Sequence, residues 1–414
     1  MKHIYTSIDI GSDTIKVVVC ELFNNKLNLL ATSSVNSNGI KRGMITDVSE
    51  ASLSLKRAIS AVNEMLGIDI KRVITTIPSY YANFKMVKGE ITITNNNHVV
   101  TGTDVSAVLQ NAVKNNLSYG CETITMLPID FKLDNRDLIK DPKGLTGDVL
   151  KVRGIMVDTP SKNVLSVVSL IESLDIEVVD ISLNCIGDIN AFRTKQMSSQ
   201  IGAIVNIGYE TTTISIYNKG IVVKNTVIGL GGRNIDNDIS YIYKINLGEA
   251  RKAKEKFALA DKRFANTYEV FETVDATGEM IKIKQPEISE IVMSRVEEIL
   301  ALVRKEIKTL TNQQIDYIIV TGGTSNMRNF DSVVDKIFNK KALVGGLKII
   351  GLRNNKYSSA VGNIVYFINK LKLKGVNYTM LDEDDEEELS SLKKSFEASN
   401  DSMLGKVFGY FFGE

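Results

Sequence analysis

The residues with the clearest chemical promise sit in one short run near the start, Asp9-Ile10-Gly11-Ser12-Asp13-Thr14-Ile15-Lys16. A glycine at a turn lets backbone N–H groups come close to an anion, and Ser12 and Thr14 add hydroxyl donors. Lys16, two residues beyond Thr14, offers a point charge to a terminal phosphate. Asp9, on the strand before the turn, suits a metal held through water, since Mg²⁺ keeps several of its waters. The same spacing also suits a plain hairpin with Gly-Ser at its turn, so one copy decides nothing. A second copy follows at Asn206-Ile207-Gly208-Tyr209-Glu210-Thr211-Thr212-Thr213. It repeats strand, polar residue, glycine turn and hydroxyl-rich return strand, and each copy runs on through a turn (Asn24-Asn25, Asn218-Lys219-Gly220) into a third strand. Two such hairpins point to an internal duplication, with a nucleotide held in a cleft between two similar α/β lobes.

The elements that must position these residues can be traced along the chain. Asp47 and Glu50 read as a capping box ahead of a helix whose apolar face is Leu55, Ile59, Val62 and Leu66. A strand, Val73 to Ile77, ends at Pro78, giving an α/β layer pattern. From Tyr80 to Pro160, polar turns separate short strands around one helix, which reads as an inserted subdomain. Ser161 caps a helix, Ile176 to Ile181 is a strand, and Asn184 to Thr194 is a helix leading out of the first half. After the second hairpin, Gly229-Leu230-Gly231-Gly232 turns into a helix, followed by a charged helix from Glu249 to Ala260 and a β-like stretch from Thr267 to Lys284. Pro286 opens a long amphipathic helix. The strand Tyr317 to Val320 then meets Gly322-Gly323, a flat surface on which a ring or ribose can lie. Ser358 to Gly362 starts a helix with small residues, which permits close helix contact.

Composition narrows the function classes. The chain has 414 residues and a formal net charge of +1, so no field of one sign recruits nucleic acid. Three separated cysteines read as reduced thiols, and His3 and His98 are too few for a zinc site or a histidine triad with them. No apolar run approaches the roughly 20 residues of a spanning helix.

Five pieces stand in a fixed order: hairpin at Asp9, helix near Gly187, hairpin at Asn206, Gly-Gly at Gly322, and small-residue helix at Ala360. This order resembles the actin/Hsp70/sugar-kinase ATPase superfamily, where the pieces are phosphate loop 1, connect 1, phosphate loop 2, adenosine loop and connect 2. Over residues 1 to about 373 the chain is similar to the FtsA family of bacterial division proteins, through the insertion, the run at 41–47 and the tail. The resemblance implies an actin-like α/β fold of two duplicated βββαβα lobes. Residues 1–80 and 161–195 would form the first lobe, 81–160 the inserted subdomain (1C), 196–228 and 306–374 the second lobe, and 229–305 its outer subdomain (2B). It implies ATP with Mg²⁺: Gly11, Ser12, Asp13, Thr14 and Lys16 on the phosphates, Gly208, Thr211 and Thr212 facing them, and Gly322, Gly323 and Thr324 at the adenosine. Gly231, Gly232, Arg251, Lys254 and Met327 complete the implied site, and Asp9 would hold the metal through water.

Two departures bear on chemistry. Superfamily members usually carry aspartate where this chain has Asn206, and an amide cannot serve as an anionic base. The helix at 249–260 places Arg251 and Lys254 where relatives offer Glu and Lys to the nucleoside. Nucleotide binding is therefore expected more firmly than hydrolysis, and no water-activating residue is assigned.

The resemblance also implies partners: the FtsZ C-terminal tail at Arg295 and Glu298, a filament of the chain itself, the cytoplasmic membrane surface at the division septum, and other division proteins through the insertion. Ser294 and Val296 break the family's helix pattern at the first of these, and the two charges equally suit a solvated helix face. A pilus-assembly ATPase of the PilM type and a small-molecule kinase of the same fold are the rival readings.

Beyond Lys374 the composition changes. An acidic block, 382–388, and Ser/Asn-rich sequence read as a disordered linker over 375–401. In 402–414, Leu404, Val407, Phe408, Phe411 and Phe412 share one helical face. At about 18 Å such a helix is too short to span a bilayer and suits an in-plane anchor; folding back on the domain or into a partner groove is the alternative.

Overall fold

A computed structural model describes residues 3–114, 116–382, 384, 385 and 389. The apolar tail at 402–414 lies outside these. The first lobe opens with strands β1 (His3–Ile10), β2 (Thr14–Phe23) and β3 (Lys26–Asn36), then a small hairpin of β4 (Ile40–Lys41) and β5 (Met44–Ile45). Helix α1 (Val48–Leu66) starts at Asp47, whose side chain accepts from the Glu50 N–H, and ends at Gly67 in the left-handed region. Strand β6 (Arg72–Ile77) leads into the insertion, made of β7 (Asn83–Thr92), α2 (Gly102–Lys114), β8 (Cys121–Leu133), β9 (Arg136–Ile139) and β10 (Val149–Pro160). Helix α3 (Ser161–Glu172), strand β11 (Glu177–Leu183) and helix α4 (Asn184–Phe192) close the first half.

The second half repeats the plan with β12 (Ile201–Ile207), β13 (Thr212–Asn218), β14 (Ile221–Ile228), α5 (Gly232–Tyr243) and α6 (Leu247–Lys252), the last continued by a π-helical turn over Ala253–Phe257. The hairpin β15 (Val270–Val274) and β16 (Met280–Lys284) leads into α7 (Gln285–Leu310), then β17 (Tyr317–Thr321), α8 (Phe330–Phe338), β18 (Ala342–Val344) and α9 (Ser358–Lys374).

The duplication is plain in the sheets. The first has the order β11-β6-β1-β2-β3 and the second β18-β17-β12-β13-β14, each an antiparallel meander extended by two parallel strands. Strands buried on both faces explain the near-continuous apolar sequence of β2. Val17 and Val19 face Leu55, Ile59 and Val62 of α1, whereas Val18 and Cys20 face Ala360, Val361, Ile364 and Phe367 of α9. Helix α9 therefore belongs to the first lobe, and the expected assignment of 306–374 to the second lobe is corrected for this helix. The expected boundary at 305 likewise falls inside the continuous α7, whose Val292, Val296, Leu300 and Val303 share one core with β12, β13 and β17.

Inside the insertion β7, β8 and β10 are long, 10, 13 and 12 residues, instead of short, and only β9 is short among its described strands. Polar turns lie between them, and α2 covers their apolar face through Val105, Val108 and Ala112. The linker expectation for 375–401 also fails at its start. Met380 and Leu381 are buried, the Met380 N–H donates to the Ile4 carbonyl at 3.0 Å, and Asp382 meets Arg72 at 2.7 Å. A short apolar run straps this segment to the first lobe before the acidic block begins.

Candidate functional site

Pairing register places the chemistry. In β1–β2 Asp9 stands opposite Lys16, and Lys16 Nζ meets Asp9 Oδ2 at 2.8 Å while Asp9 Oδ1 accepts from Thr76 Oγ1 at 2.9 Å. In β12–β13 the same slot holds Asn206 opposite Thr213. Both turns close alike, Gly11 N–H to Thr14 O at 3.1 Å and Gly208 N–H to Thr211 O at 2.9 Å. A Cβ on Gly11 would stand 2.9 Å from both Lys16 Nζ and Thr14 O.

The two hairpins face each other across a cleft of about 500 Å³. Its walls include Asp9, Gly11, Ser12, Asp13, Thr14 and Lys16 from the first lobe, and Gly208, Thr211, Arg251, Lys254, Gly322, Gly323, Thr324 and Met327 from the second. Gly322 has φ +94°, and a Cβ there would overlap the Asn206 side chain and the Ile207 carbonyl, so only glycine lets this turn lie flat against the second hairpin.

Three expected site residues stand behind the wall. Thr212 is buried and donates to the Leu230 carbonyl at 2.8 Å. Gly231 N–H donates to Asn234, and Gly232 N–H to the Gly208 carbonyl at 2.9 Å, so this glycine pair braces the hairpin turn. Thr213 lines the cleft in place of Thr212, as strand alternation requires.

Glu255, which the sequence does not single out, adds a carboxylate to this wall. It lines the cleft beside Lys254 and accepts from Arg251 Nε at 2.9 Å. Ala258 N–H bonds to Ala253 O, five residues back, and this wider π turn rotates residues 253–257 relative to the 3.6-residue period. Arg42, Lys256 and Lys356 were missed as well, being far apart in sequence on a hairpin turn, the π-helical turn and a 3-10 turn. The wall carries six cations (Lys16, Arg42, Arg251, Lys254, Lys256, Lys356) against three carboxylates (Asp9, Asp13, Glu255), a balance that favours a polyanion.

Lys254, 5% exposed, is held at 2.7 Å by the fully buried Asp236, whose carboxyl is pushed up by burial and drawn back by Lys254. The Tyr209 ring lies beside the charges of Arg251 and Lys254, at 5.5 and 5.7 Å.

Asn206 has a clear partner. Its Nδ2 donates at 2.8 Å to Asp188 Oδ2, on α4, while Ser358 and Ser359 hydroxyls donate to Asp188 Oδ1 at 2.7 and 2.9 Å. Burial pushes Asp188 up to about 6, against the pull of these hydrogen bonds. The cluster lies where α4 and α9 cross at Gly187 and Gly362, so close that a Cβ on either glycine would overlap the other helix.

Two contacts join the hairpin tips to the opposite lobe. Arg251 Nη1 and Nη2 donate to Asp13 Oδ1 and Oδ2 at 2.5 and 2.7 Å, and the Arg42 N–H donates to Glu210 Oε2 at 2.6 Å. Away from the cleft, Arg295 is gripped by both oxygens of Asp238, at 2.6 and 2.8 Å, and by Glu298. Val296, which breaks the family's helix pattern, is core.

Two duplicated lobes, matched hairpins and a Gly-Gly turn around one cleft define an actin-like ATPase fold. The solved PilM–PilN type IV pilus biogenesis complex shares it, with a TM-score of 0.59 at 13% identity over 90% of this chain and 99% of that one. So does MreB5 of Spiroplasma citri bound to AMPPNP, with a TM-score of 0.52 at 16% identity over 90% and 99%. The family model for cell division protein FtsA matches residues 203–362, and that for the SHS2 domain inserted in FtsA matches residues 81–157, the inserted subdomain. Cell division protein FtsA of Bacillus subtilis is 29% identical over 376 residues, covering 90% of this chain and 85% of the relative. The chain belongs to the FtsA family of actin-like division proteins.

Proposed function

We propose that this chain binds ATP with Mg²⁺ between the two hairpins, assembles into filaments on the cytoplasmic face of the cell membrane at the division septum, and tethers the FtsZ ring there. The facing hairpins carry the nucleotide reading, because donors and cations from both lobes converge on one cleft whose net positive charge suits a polyanion. Lys16, Ser12, Thr14 and Thr211 would hold phosphates. Glu255 would accept from ribose hydroxyls, and Gly322 and Gly323 would support the base. Asp9 has both oxygens engaged, by Lys16 and Thr76, which suits a cation held through water better than direct ligation.

Family membership supports the division role. Arg295 and Glu298 form one charged surface with Asp238, and an FtsZ tail would take Arg295 by displacing an internal partner. The insertion is the surface offered to other division proteins. The apolar face of 402–414 supports the membrane anchor. No helix among the described residues is long and apolar enough to cross a membrane.

Liposome co-sedimentation with and without ATP and FtsZ tests the whole reading. Pelleting should require residues 402–414 and be lost in the Phe408→Glu, Phe411→Glu double variant, since charge on the inserted face reverses the sign of transfer. Deletion of 402–414 should leave ATP affinity intact. Lipid binding by the truncated chain would move the anchor elsewhere.

A further inference from the structure

The hairpin tips carry acids at matched positions, Asp13 just before Thr14 and Glu210 just before Thr211, and each reaches into the opposite lobe. Asp13 takes the Arg251 guanidinium in a two-pronged pair, the most directional ion pair that side chains can form. The side chains are partly buried, 22% and 30% exposed, so solvent screens them only in part. On the other side Glu210 holds the backbone of Arg42 and pairs with Arg233.

A carboxylate on a phosphate hairpin works against its surroundings. The Ser12 and Thr14 hydroxyls, the turn backbone and Lys16 favour an anion, which Asp13 repels unless its own charge is met. Arg251 meets it, and Arg251 is also a cleft-lining cation within the field of any bound polyphosphate.

We propose that Asp13 and Arg251 form a clasp over the cleft that sets polyphosphate affinity: the phosphates and Asp13 compete for one guanidinium, while the Glu210–Arg42 contact keeps the lobes in register. The proposal rests on the nucleotide reading. It gives the two partners opposite signs. Without Asp13, Arg251 is free for the phosphates and a repelling charge is gone; without Arg251, a bare carboxylate faces them. A nucleoside lacking phosphates is indifferent to either change.

The test is equilibrium binding of ATP, ADP and adenosine, with Mg²⁺, to the full chain and to Asp13→Ser, Arg251→Ala, Arg251→Lys and the Asp13→Ser, Arg251→Ala double variant. Asp13→Ser should tighten ATP about three- to tenfold, ADP less, and adenosine not at all. Arg251→Ala should weaken ATP about tenfold, and that loss should grow at least about threefold in the Asp13→Ser background, where no carboxylate competes for the guanidinium. Arg251→Lys, which keeps charge but not the fork, should fall between. Unchanged or weaker ATP binding in Asp13→Ser, or a double variant that loses no more than the product of the singles, would overturn the clasp alone. Absence of ATP binding by the unaltered chain would overturn the nucleotide reading and the clasp with it.

Discussion

The two hairpins share a backbone and differ in how their charge is answered. In the first lobe the slot before the turn holds an ion pair, Asp9 with Lys16, inside the hairpin itself. In the second lobe the same slot holds two neutral side chains, Asn206 and Thr213, and the acid stands behind it on α4. That acid, Asp188, is 1% exposed and surrounded by neutral donors. Duplication thus gave two equal frames, one offering a cation to the cleft and the other hydroxyls, with a withdrawn carboxyl at the lobe crossing. The amide at 206 is the donor that Asp188 needs, and this is a structural reason for the departure from the superfamily's aspartate.

Making the lobes alike should break the second one. Asn206→Asp replaces a donor by a carboxylate facing Asp188, so one of the two must take a proton or separate. The expected loss is about 3–5 kcal/mol at pH 8 and less at pH 5, where a shared proton is easily bound, as read by denaturant unfolding at both pH values. Equal stability of variant and parent at pH 8 would show that the contact is dispensable.

The Asp188 titration sharpens the contrast. Its carboxyl lies near 6 in the fold against the usual range near 4 in the unfolded chain. The folded state holds the proton more tightly, so this contribution is fully present below about pH 4 and is lost as pH rises to about 6, roughly 3 kcal/mol in all. Asp188→Asn, with the Asn206 amide turned to accept, should flatten that part of the stability curve. Parallel curves for variant and parent between pH 4 and 6.5 would contradict it.

A smaller asymmetry should separate the matched partners. Lys16→Ala leaves Asp9 buried without its cation and is expected to cost about 2–3 kcal/mol, whereas Thr213→Ala should cost under about 1 kcal/mol. Thermal unfolding of the two variants compares them directly. An effect smaller than that of Lys16→Ala belongs to the strap, which packs on the first lobe. Met380→Ala should cost about 1–2 kcal/mol and leave ATP affinity unchanged, with faster protease cleavage after residue 375 as its readout.

Much of this was legible in the chain. The glycine turns, their hydroxyl-rich return strands and the Gly-Gly turn at 322 announce themselves, because backbone approach to an anion permits few residue types. The small residues from Ser358 to Gly362 likewise told of close helix contact. What stayed hidden depends on register and on distant partners. Glu255, four residues after Arg251, shares its helix face, and the family pattern directed attention to Arg251 and Lys254 instead. Thr212 and Thr213 differ only in which strand face they occupy. Asp188 drew no notice because its donors come from β12 and α9, far away in sequence. The strap at Met380 and Leu381 was masked by the acidic block beside it, and α9 was assigned by chain order when its apolar face pairs with Val18 and Cys20 of the first lobe.

The central claim is that the cleft between the hairpins holds ATP, and equilibrium ATP binding to the full chain beside its Gly11→Val variant tests it most directly. Any side chain at Gly11 crowds Lys16 Nζ and the Thr14 carbonyl, where the phosphates must approach. The expected result is ATP–Mg²⁺ binding by the unaltered chain and a loss of about a hundredfold or more in Gly11→Val, with the melting transition of the variant still cooperative. A folded Gly11→Val protein that binds ATP as tightly as its parent would remove the hairpin from the site and contradict the account.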